Sequence, residues 1–387
     1  MKRRVAIVGV AQTKYEASKP TLSNNELVWE VVEKVRESTD LSFVDLITDK
    51  PAIDKIVSCS EDYWQGRVIS DMQISMEMGV FGLDSVKVSS DGIQGVYHGV
   101  LDIMSGHHDI VLIVAHRKES ETVASIIENA AFDPIYIRPL GLDFLGASAL
   151  QAQSYISKYK VSPEQCAKIV VKNKGNAQNN PYAQEPMNLS VSDVLNSEWL
   201  CEPIRALEAK PVSDGAAALI LAGEEMAYKI TEKPVWIKGI GNAYDAHYLG
   251  DRDLAKSDAL VAAAKLAYKM AGITDPLKQI DVAEVSERYA YQELLWYEGL
   301  GFCEPGMGGS LIDRGVTSKG GMLPVNPSGG LLGGNPSCVA GLTRVVECFL
   351  QLRKEAGPRQ INNVNTALAH GCEGPCGQSQ CVIILGN

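Results

Sequence analysis

One stretch of this chain reads Leu323-Pro324-Val325-Asn326-Pro327-Ser328-Gly329-Gly330-Leu331-Leu332-Gly333-Gly334-Asn335-Pro336. Its apolar start and the small residues that follow predict the end of a strand, a tight turn and the start of a helix. A core strand needs no such concentration of glycine and proline. Because glycine has no side chain, the backbone of this turn lets a ligand approach closely. We therefore expect Gly329 and Gly330 to lie in a binding site.

The chain repeats the same kinds of element in the same order. Four segments of the first half match four of the second, namely residues 5–10 with 235–241, 56–63 with 282–289, 86–92 with 323–329, and 109–116 with 365–370. Strands that alternate with helices predict α/β layers, with ligands bound at the carboxyl ends of the strands. Four matches in order indicate a duplication, with the two halves at residues 1–232 and 233–387.

Helical patterns fill the gaps between the predicted strands. Apolar residues recur at helical spacing over residues 26–38, 95–105, 146–159, 163–177, 257–271 and 339–356. Between about residues 117 and 210 the alternation loosens. We expect this segment to be an excursion from the first half, which forms either a cap over the site or a surface insertion.

The composition is that of a large globular protein. The chain has 387 residues, of which 45% are hydrophobic, and a net charge of -11. The negative charge argues against nucleic acid or an anionic membrane as the main partner, and no N-terminal apolar run has the length of a signal peptide or membrane span. Nine scattered cysteines favour a reducing cytoplasm. The close pair Cys372 and Cys376 lacks two further zinc ligands, so we expect no metal in this chain.

The stretch at residues 323–336 resembles the thiolase superfamily, in which it ends in Gly-His-Pro. Residues 212–221 are similar to the strand that closes the family's first half, and Gln360 with Ala369-His370 fits the closing hairpin. The sequence of this stretch is most similar to those of the sterol carrier protein-type and archaeal thiolases. The resemblance implies two duplicated βαβαβαββ halves in an αβαβα arrangement, with coenzyme A as substrate or product.

The family's chemistry uses four loops, and three of them differ here. Ser89 occupies the position of the nucleophilic cysteine at the start of a buried helix, and serine needs a base to act as a nucleophile. Asn335 replaces the histidine, so it can donate to an oxyanion but cannot accept a proton. The Asn-Glu-Ala-Phe loop is matched by Ser286-Glu287-Arg288-Tyr289. The cysteine that moves the acetyl proton is matched by Cys372, in Cys372-Glu373-Gly374.

The missing cysteine and histidine leave three functions open. The first is β-ketoacyl-CoA thiolysis or acyl transfer with diverged catalytic residues, as the family implies. The second is retro-aldol cleavage of a β-hydroxyacyl-CoA, in which the base is one of a set of candidates: Glu287, Tyr289, Tyr63, His370 and Cys372. The third is a non-catalytic scaffold subunit. Cys59, at a strand end near the predicted site, is an alternative nucleophile, and Gly374 is expected to contact coenzyme A.

The resemblance also implies partners. Thiolases pair through an edge strand and the nucleophile helix, and residues 85–88 offer such an edge here. An unpaired apolar edge needs a cover, which a two-fold homodimer supplies with one surface. Close relatives in this branch work with a small zinc-ribbon OB-fold protein, which we expect to complete the coenzyme A site.

Overall fold

The computed structural model describes residues 3–43 and 52–387. The strands are β1 (Val5–Gln12), β2 (Ser42–Phe43), β3 (Ala52–Ile53), β4 (Lys55–Cys59), β5 (Asp84–Val88), β6 (Ile110–Lys118), β7 (Trp199–Cys201), β8 (Ile204–Arg205), β9 (Asp214–Gly223), β10 (Val235–Tyr244), β11 (Val282–Glu284), β12 (Thr366–Glu373) and β13 (Ser379–Gly386). The helices are α1 (Asn24–Thr39), α2 (Asp62–Gln65), α3 (Gly92–Ser105), α4 (Ala124–Ala130), α5 (Phe144–Tyr159), α6 (Pro163–Ala177), α7 (Val191–Leu195), α8 (Glu224–Ile230), α9 (Asp258–Ala271), α10 (Pro276–Gln279), α11 (Ala290–Gly299), α12 (Gly308–Asp313) and α13 (Ser337–Arg353).

Nine of these strands form one mixed sheet in the order β11-β12-β13-β10-β1-β9-β6-β4-β5. The first half contributes β5-β4-β6-β9-β1. The second contributes β11-β12-β13-β10, and Val325 extends it by a parallel bridge to Ala283 of β11. The same strand order therefore occurs twice, and β1 and β10 join the two halves by antiparallel pairing. The predicted α/β class is confirmed, while the domain limits stay a prediction.

The helices lie in three layers around the two halves of the sheet. In the centre, α3 and α13 contact each other and strands of both halves. Their buried residues form one apolar cluster with alternate side chains of β4, β6, β9, β12 and β13. Helix α1 covers the outer face of the first half, and α9 and α11 cover that of the second. Since each sheet face must bury its apolar side chains, the result is an αβαβα arrangement.

Capping residues fix the helix ends. Helix α1 begins two residues before the predicted start, because Ser23 and Glu26 form a reciprocal capping box. Helix α3 begins at Gly92 rather than residue 95, because Asp91 caps it. Helix α13 ends at Arg353 rather than residue 356, where Lys354 takes a left-handed conformation. In the part of the chain that the structure describes, no helix combines the length and hydropathy needed to cross a membrane.

The predicted excursion at residues 117–210 holds α4 to α7 and the short hairpin β7–β8. Helices α5 and α6 pack against α11, and α6 also packs against α12. Phe132 and Phe144 form a separate apolar cluster with Cys376, which lies between β12 and β13. The excursion therefore packs onto the second half of the molecule, beside the end of β12.

The stretch at residues 323–336 forms less strand than we predicted. Only Val325 makes a β-bridge, since Pro324 has no amide hydrogen and Asn326 has a positive φ of 55°. Turns follow, and α13 begins at Ser337. The turn and the helix were correctly predicted, but the strand was not.

Candidate active site

The turn after β5 places Ser89 at the start of α3. Ser89 is exposed, and Asp91 caps the helix by accepting a hydrogen bond of 2.8 Å from the backbone amide of Ile93. The same carboxyl group accepts a second hydrogen bond, also of 2.8 Å, from the backbone amide of Gly341 in the first turns of α13. Burial raises the pKa of Asp91 to about 8. Asp91 thus ties the Ser89 turn to the beginning of both central helices.

The start of α13 brings Asn335 close to this turn. The thiol of Cys338 donates to the carbonyl of Ser90 over 3.3 Å. The side chain of Asn335 is buried, and among the described residues its amide oxygen has no hydrogen-bond partner. It lines a small polar recess together with Tyr15 and Arg344. The backbone of Asn335 therefore lies near the Ser89 turn, while its side chain belongs to this recess.

Cys372 lies at the end of β12, beside the Ser286 loop. Its thiol donates to the carbonyl of Ser286 over 3.5 Å. Burial raises the pKa of this thiol, and Arg288 only partly opposes the shift, so the thiol is protonated at neutral pH. At Gly371, a Cβ would lie 3.1 Å from Oδ1 of Asp91. The structure therefore brings Cys372, the Ser286 loop and the start of α3 to one end of the sheet.

Ser286 and His370 hold each other in place. The hydroxyl of Ser286 donates to the carbonyl of His370 over 3.1 Å, and its backbone amide lies 3.4 Å from Nδ1 of the ring. The other ring nitrogen lies 2.6 Å from the amide oxygen of Gln380. Burial lowers the pKa of His370 to about 4. His370 is therefore a neutral, fully bonded imidazole behind the loop.

Glu287 lies in a buried polar network. Its carboxyl group accepts hydrogen bonds of 2.9 Å from the side-chain amides of Asn173 and Asn326. Burial, followed by the neighbouring Glu293, raises the pKa of Glu287 to about 8. A Cβ on Gly330 would overlap Oε1 of Glu287. This network gives Glu287 and Gly330 a packing role, and their contact with a substrate stays a prediction.

The other predicted site residues are more scattered. Tyr289 is buried, and its ring stacks on Tyr291 with centroids 6.5 Å apart. Gly329 has a φ of 102° and packs against Ala177. Gly374 has a φ of 79° in the turn between β12 and β13. Each glycine has a conformational reason to be glycine, and their contact with coenzyme A also stays a prediction.

The structure adds an ion pair that the sequence did not single out. The guanidinium of Arg288 lies 2.5 Å from Oε1 of Glu373 and 3.4 Å from Glu128. All three residues are at least largely buried, and Arg288 lies 5.2 Å from the ring centre of Phe144. These charges come from three distant parts of the chain, so no local sequence pattern could have joined them.

Two further candidates are Tyr63 and Cys59. Tyr63 is half exposed, and its hydroxyl donates to Oε1 of Glu61 over 2.9 Å. Burial and the charge of Glu373 raise the pKa of Tyr63 to about 12. Cys59 is fully buried against Gly95, and burial raises the pKa of its thiol. A protonated, enclosed thiol is a poor nucleophile, so the geometry does not favour Cys59 for that role.

Comparison with known proteins gives the family. Residues 241–387 match a family model described as thiolase C-terminal domain-like. The acetyl-CoA acetyltransferase of Methanothermobacter thermautotrophicus is 33% identical over 395 residues, with 97% of each chain covered. Sterol carrier protein 2 of Homo sapiens is 30% identical, over 95% of this chain and 69% of that protein. A solved Ltp2-ChsH2(DUF35) aldolase superposes with a TM-score of 0.84 at 21% identity, over 99% of this chain and 97% of that one.

The two kinds of similarity carry different information. The identity to the Methanothermobacter enzyme extends over nearly the whole of both chains, and the superposition shows the same fold. The resemblance predicted from the stretch at residues 323–336 is therefore confirmed. The chain belongs to the thiolase superfamily.

Proposed function

We propose that this chain makes or breaks a carbon–carbon bond next to the thioester of an acyl-CoA, without forming an acyl-enzyme. Its relatives support an acyl-CoA enzyme, since the Methanothermobacter protein is an acetyl-CoA acetyltransferase. Within this class, retro-aldol cleavage of a β-hydroxyacyl-CoA fits the residues best. The structural similarity to an aldolase supports this choice at the level of fold.

The observation that carries the proposal is that, within the described residues, no histidine hydrogen-bonds to Ser89 as a base. The two fully buried imidazoles bond elsewhere, His116 to Asn24 and His370 to Gln380. Burial lowers the pKa of both histidines to about 4. A serine hydroxyl without an adjacent base is a weak nucleophile, which favours a route that does not need it.

The retro-aldol route needs three groups. A base takes the proton of the β-hydroxyl, and the carbon–carbon bond breaks as its electron pair moves into the thioester to form an enolate. A donor then protonates the α-carbon of the enolate, the step that the family resemblance assigns to Cys372. The N-termini of α3 and α13 lie at the Ser89 turn, where Asp91 caps α3 and Glu119 accepts a hydrogen bond of 2.9 Å from the amide of Ser337 at the start of α13. Their dipoles favour the negative oxygen of the enolate.

Thiolysis of a β-ketoacyl-CoA is the second candidate, and family membership favours it. It needs free coenzyme A and, in the usual form, acylation of the residue at position 89. A non-catalytic scaffold subunit is the third, and the lost cysteine and histidine favour it. These alternatives differ in what the chain consumes, so turnover assays separate them.

Assembly belongs to the same proposal. We propose a homodimer, because β5 lies at the edge of the described sheet and Val86 on it is exposed. We also propose a small zinc-ribbon OB-fold partner that helps to hold coenzyme A. The name of a solved neighbour, the Ltp2-ChsH2(DUF35) aldolase, joins two components and supports the idea of a partner. A cytoplasmic location stays a prediction.

Two assays on the purified chain, alone and with the proposed zinc-ribbon OB-fold partner, test the function. In the first, β-hydroxyacyl-CoA esters are supplied without free coenzyme A, and a shorter acyl-CoA plus a carbonyl compound are measured. In the second, β-ketoacyl-CoA esters are supplied with coenzyme A. We expect turnover in the first assay. Turnover confined to the second would support thiolysis, and none in either would support a scaffold.

A further inference from the structure

Glu373 is the last residue of β12 and follows Cys372 directly. Successive side chains of a strand point to opposite faces. Cys372 belongs to the apolar cluster around α9 and α11, whereas Gly371 contacts Asp91 at the start of α3. Two residues after Gly371, Glu373 therefore faces the central helices, on the side of the Ser89 turn.

One carboxyl oxygen of Glu373 is bonded and the other is not. Oε1 accepts a hydrogen bond of 2.5 Å from Arg288 and one of 3.1 Å from the amide of Gly374. Oε2 is buried, and among the described residues it has no hydrogen-bond partner. The residue as a whole is only 9% exposed. A buried carboxylate oxygen without a donor is costly, so its persistence suggests a role outside stability.

The surroundings of Glu373 are those of the candidate active site. Burial, and to a smaller extent the charge of Glu373, raises the pKa of Tyr63, Cys338 and Cys372, and Cys372 directly precedes Glu373 in β12. Arg288 comes from the Ser286 loop and holds Oε1 of the carboxylate through their ion pair. A charge-assisted pair of this kind orients its partner more firmly than a neutral hydrogen bond does.

We propose that Glu373 is the base of the carbon–carbon cleavage and that Arg288 is its positioning residue. This inference rests on the proposed retro-aldol function. In the forward direction, Oε2 takes the proton of the substrate β-hydroxyl, the new carbonyl forms, and the enolate leaves. The proton that Glu373 holds then passes through water to the α-carbon of the enolate, so this step does not need Cys372, whose side chain lies on the other face of β12. One O–H and one C–C bond break, one C–H and one C=O bond form, and no oxidant is needed.

The test compares three variants in both turnover assays. Glu373→Gln keeps the size of the side chain and an oxygen for Arg288, but it cannot take up a proton. We expect its kcat to fall about 100-fold or more, with KM changed less than about threefold. Glu373→Asp keeps a carboxylate on a shorter side chain, so its kcat should lie between those of the wild type and Glu373→Gln. Glu208→Gln is the control, since Glu208 is a buried carboxyl that bonds the backbone of Arg205 elsewhere.

The outcomes separate this inference from the proposed function. A Glu373→Gln protein that cleaves β-hydroxyacyl-CoA within threefold of the wild type would overturn the inference alone. If Glu373→Gln does not fold, as judged by its thermal unfolding, unchanged turnover of Glu373→Asp overturns it instead. A wild type active only in thiolysis overturns the proposed function, and a wild type inactive in both assays overturns both.

Discussion

The backbone amide of Ser286 donates a hydrogen bond of 3.4 Å to Nδ1 of His370. Because Nδ1 accepts, Nε2 must carry the ring proton, which it donates to Gln380 over 2.6 Å. Both nitrogens are thus occupied. His370 was one of our candidate bases, and this bonding favours a positioning role for it behind the Ser286 loop.

The buried histidines predict how stability depends on pH. Burial lowers the pKa of His116 and His370 from 6.5 to about 4. Between these pH values the unfolded chain binds more protons than the folded one. The free energy of unfolding should therefore fall as the pH is lowered from 6.5 to 4, by up to about 1.4 kcal/mol per pH unit for each histidine. Above pH 6.5 they contribute no slope.

Urea unfolding at a series of pH values measures this slope. The carboxylates that titrate in the same range contribute to the wild type and the variants alike, so the variants are compared with the wild type. His370→Gln should show a smaller slope than the wild type between pH 4 and 6.5. His107→Gln, at an exposed position, should leave the slope unchanged. A His370→Gln slope equal to that of the wild type would show that the imidazole is not buried in its neutral form.

Two glycines with almost the same backbone conformation predict very different costs of substitution. Gly66 has a φ of 63° with no atom within 4 Å of an added Cβ. Gly330 has a φ of 64°, but its Cβ would overlap Glu287. Gly66→Ala should cost about 1–2 kcal/mol for the left-handed backbone alone. Gly330→Ala should cost at least about 3 kcal/mol, since it also disrupts a buried polar network. Equal losses in urea unfolding would contradict the packing role of Gly330.

The exposed edge of the sheet predicts a dimer. Val86 is 39% exposed on β5, and Phe81 just before it is 77% exposed. We expect light scattering to show a dimer at micromolar concentration and Val86→Glu to shift it toward the monomer, because the charge would be buried in the contact. Met322→Glu, at an exposed apolar residue elsewhere, should leave the dimer intact. A wild-type monomer at that concentration would refute this assembly.

Much of the fold could be predicted because it depends on local patterns. The sequence alternates strands and helices and repeats them in order, which predicts a duplicated strand order. The structure shows this order in β5-β4-β6-β9-β1 and again in β11-β12-β13-β10 with the bridge of Val325. Several predicted helix ends differ from the observed ones by two or three residues, because capping residues such as Ser23 and Asp91 lie outside the apolar pattern. The strand predicted at residues 323–325 failed because Pro324 and Asn326 limit it to a single bridge.

The site was harder to predict because its chemistry depends on long-range contacts. The family motifs located Ser89 and Cys372, which the structure brings to the same end of the sheet. They could not locate the ion pair of Arg288 with Glu373, whose residues lie 85 positions apart. Nor could they show that Glu287 is enclosed by Asn173 and Asn326, since a loop carboxylate looks the same in sequence whether it is exposed or buried.

The central claim is that the reaction proceeds without an acyl-enzyme at position 89. The most direct measurement is the intact mass of the protein after incubation with acyl-CoA, read beside the turnover of Ser89→Ala and its neighbour control Ser90→Ala. We predict no added acyl mass, and turnover of β-hydroxyacyl-CoA by both variants within about threefold of the wild type. A stable acyl adduct mapped to Ser89, together with loss of turnover in Ser89→Ala but not in Ser90→Ala, would contradict the claim.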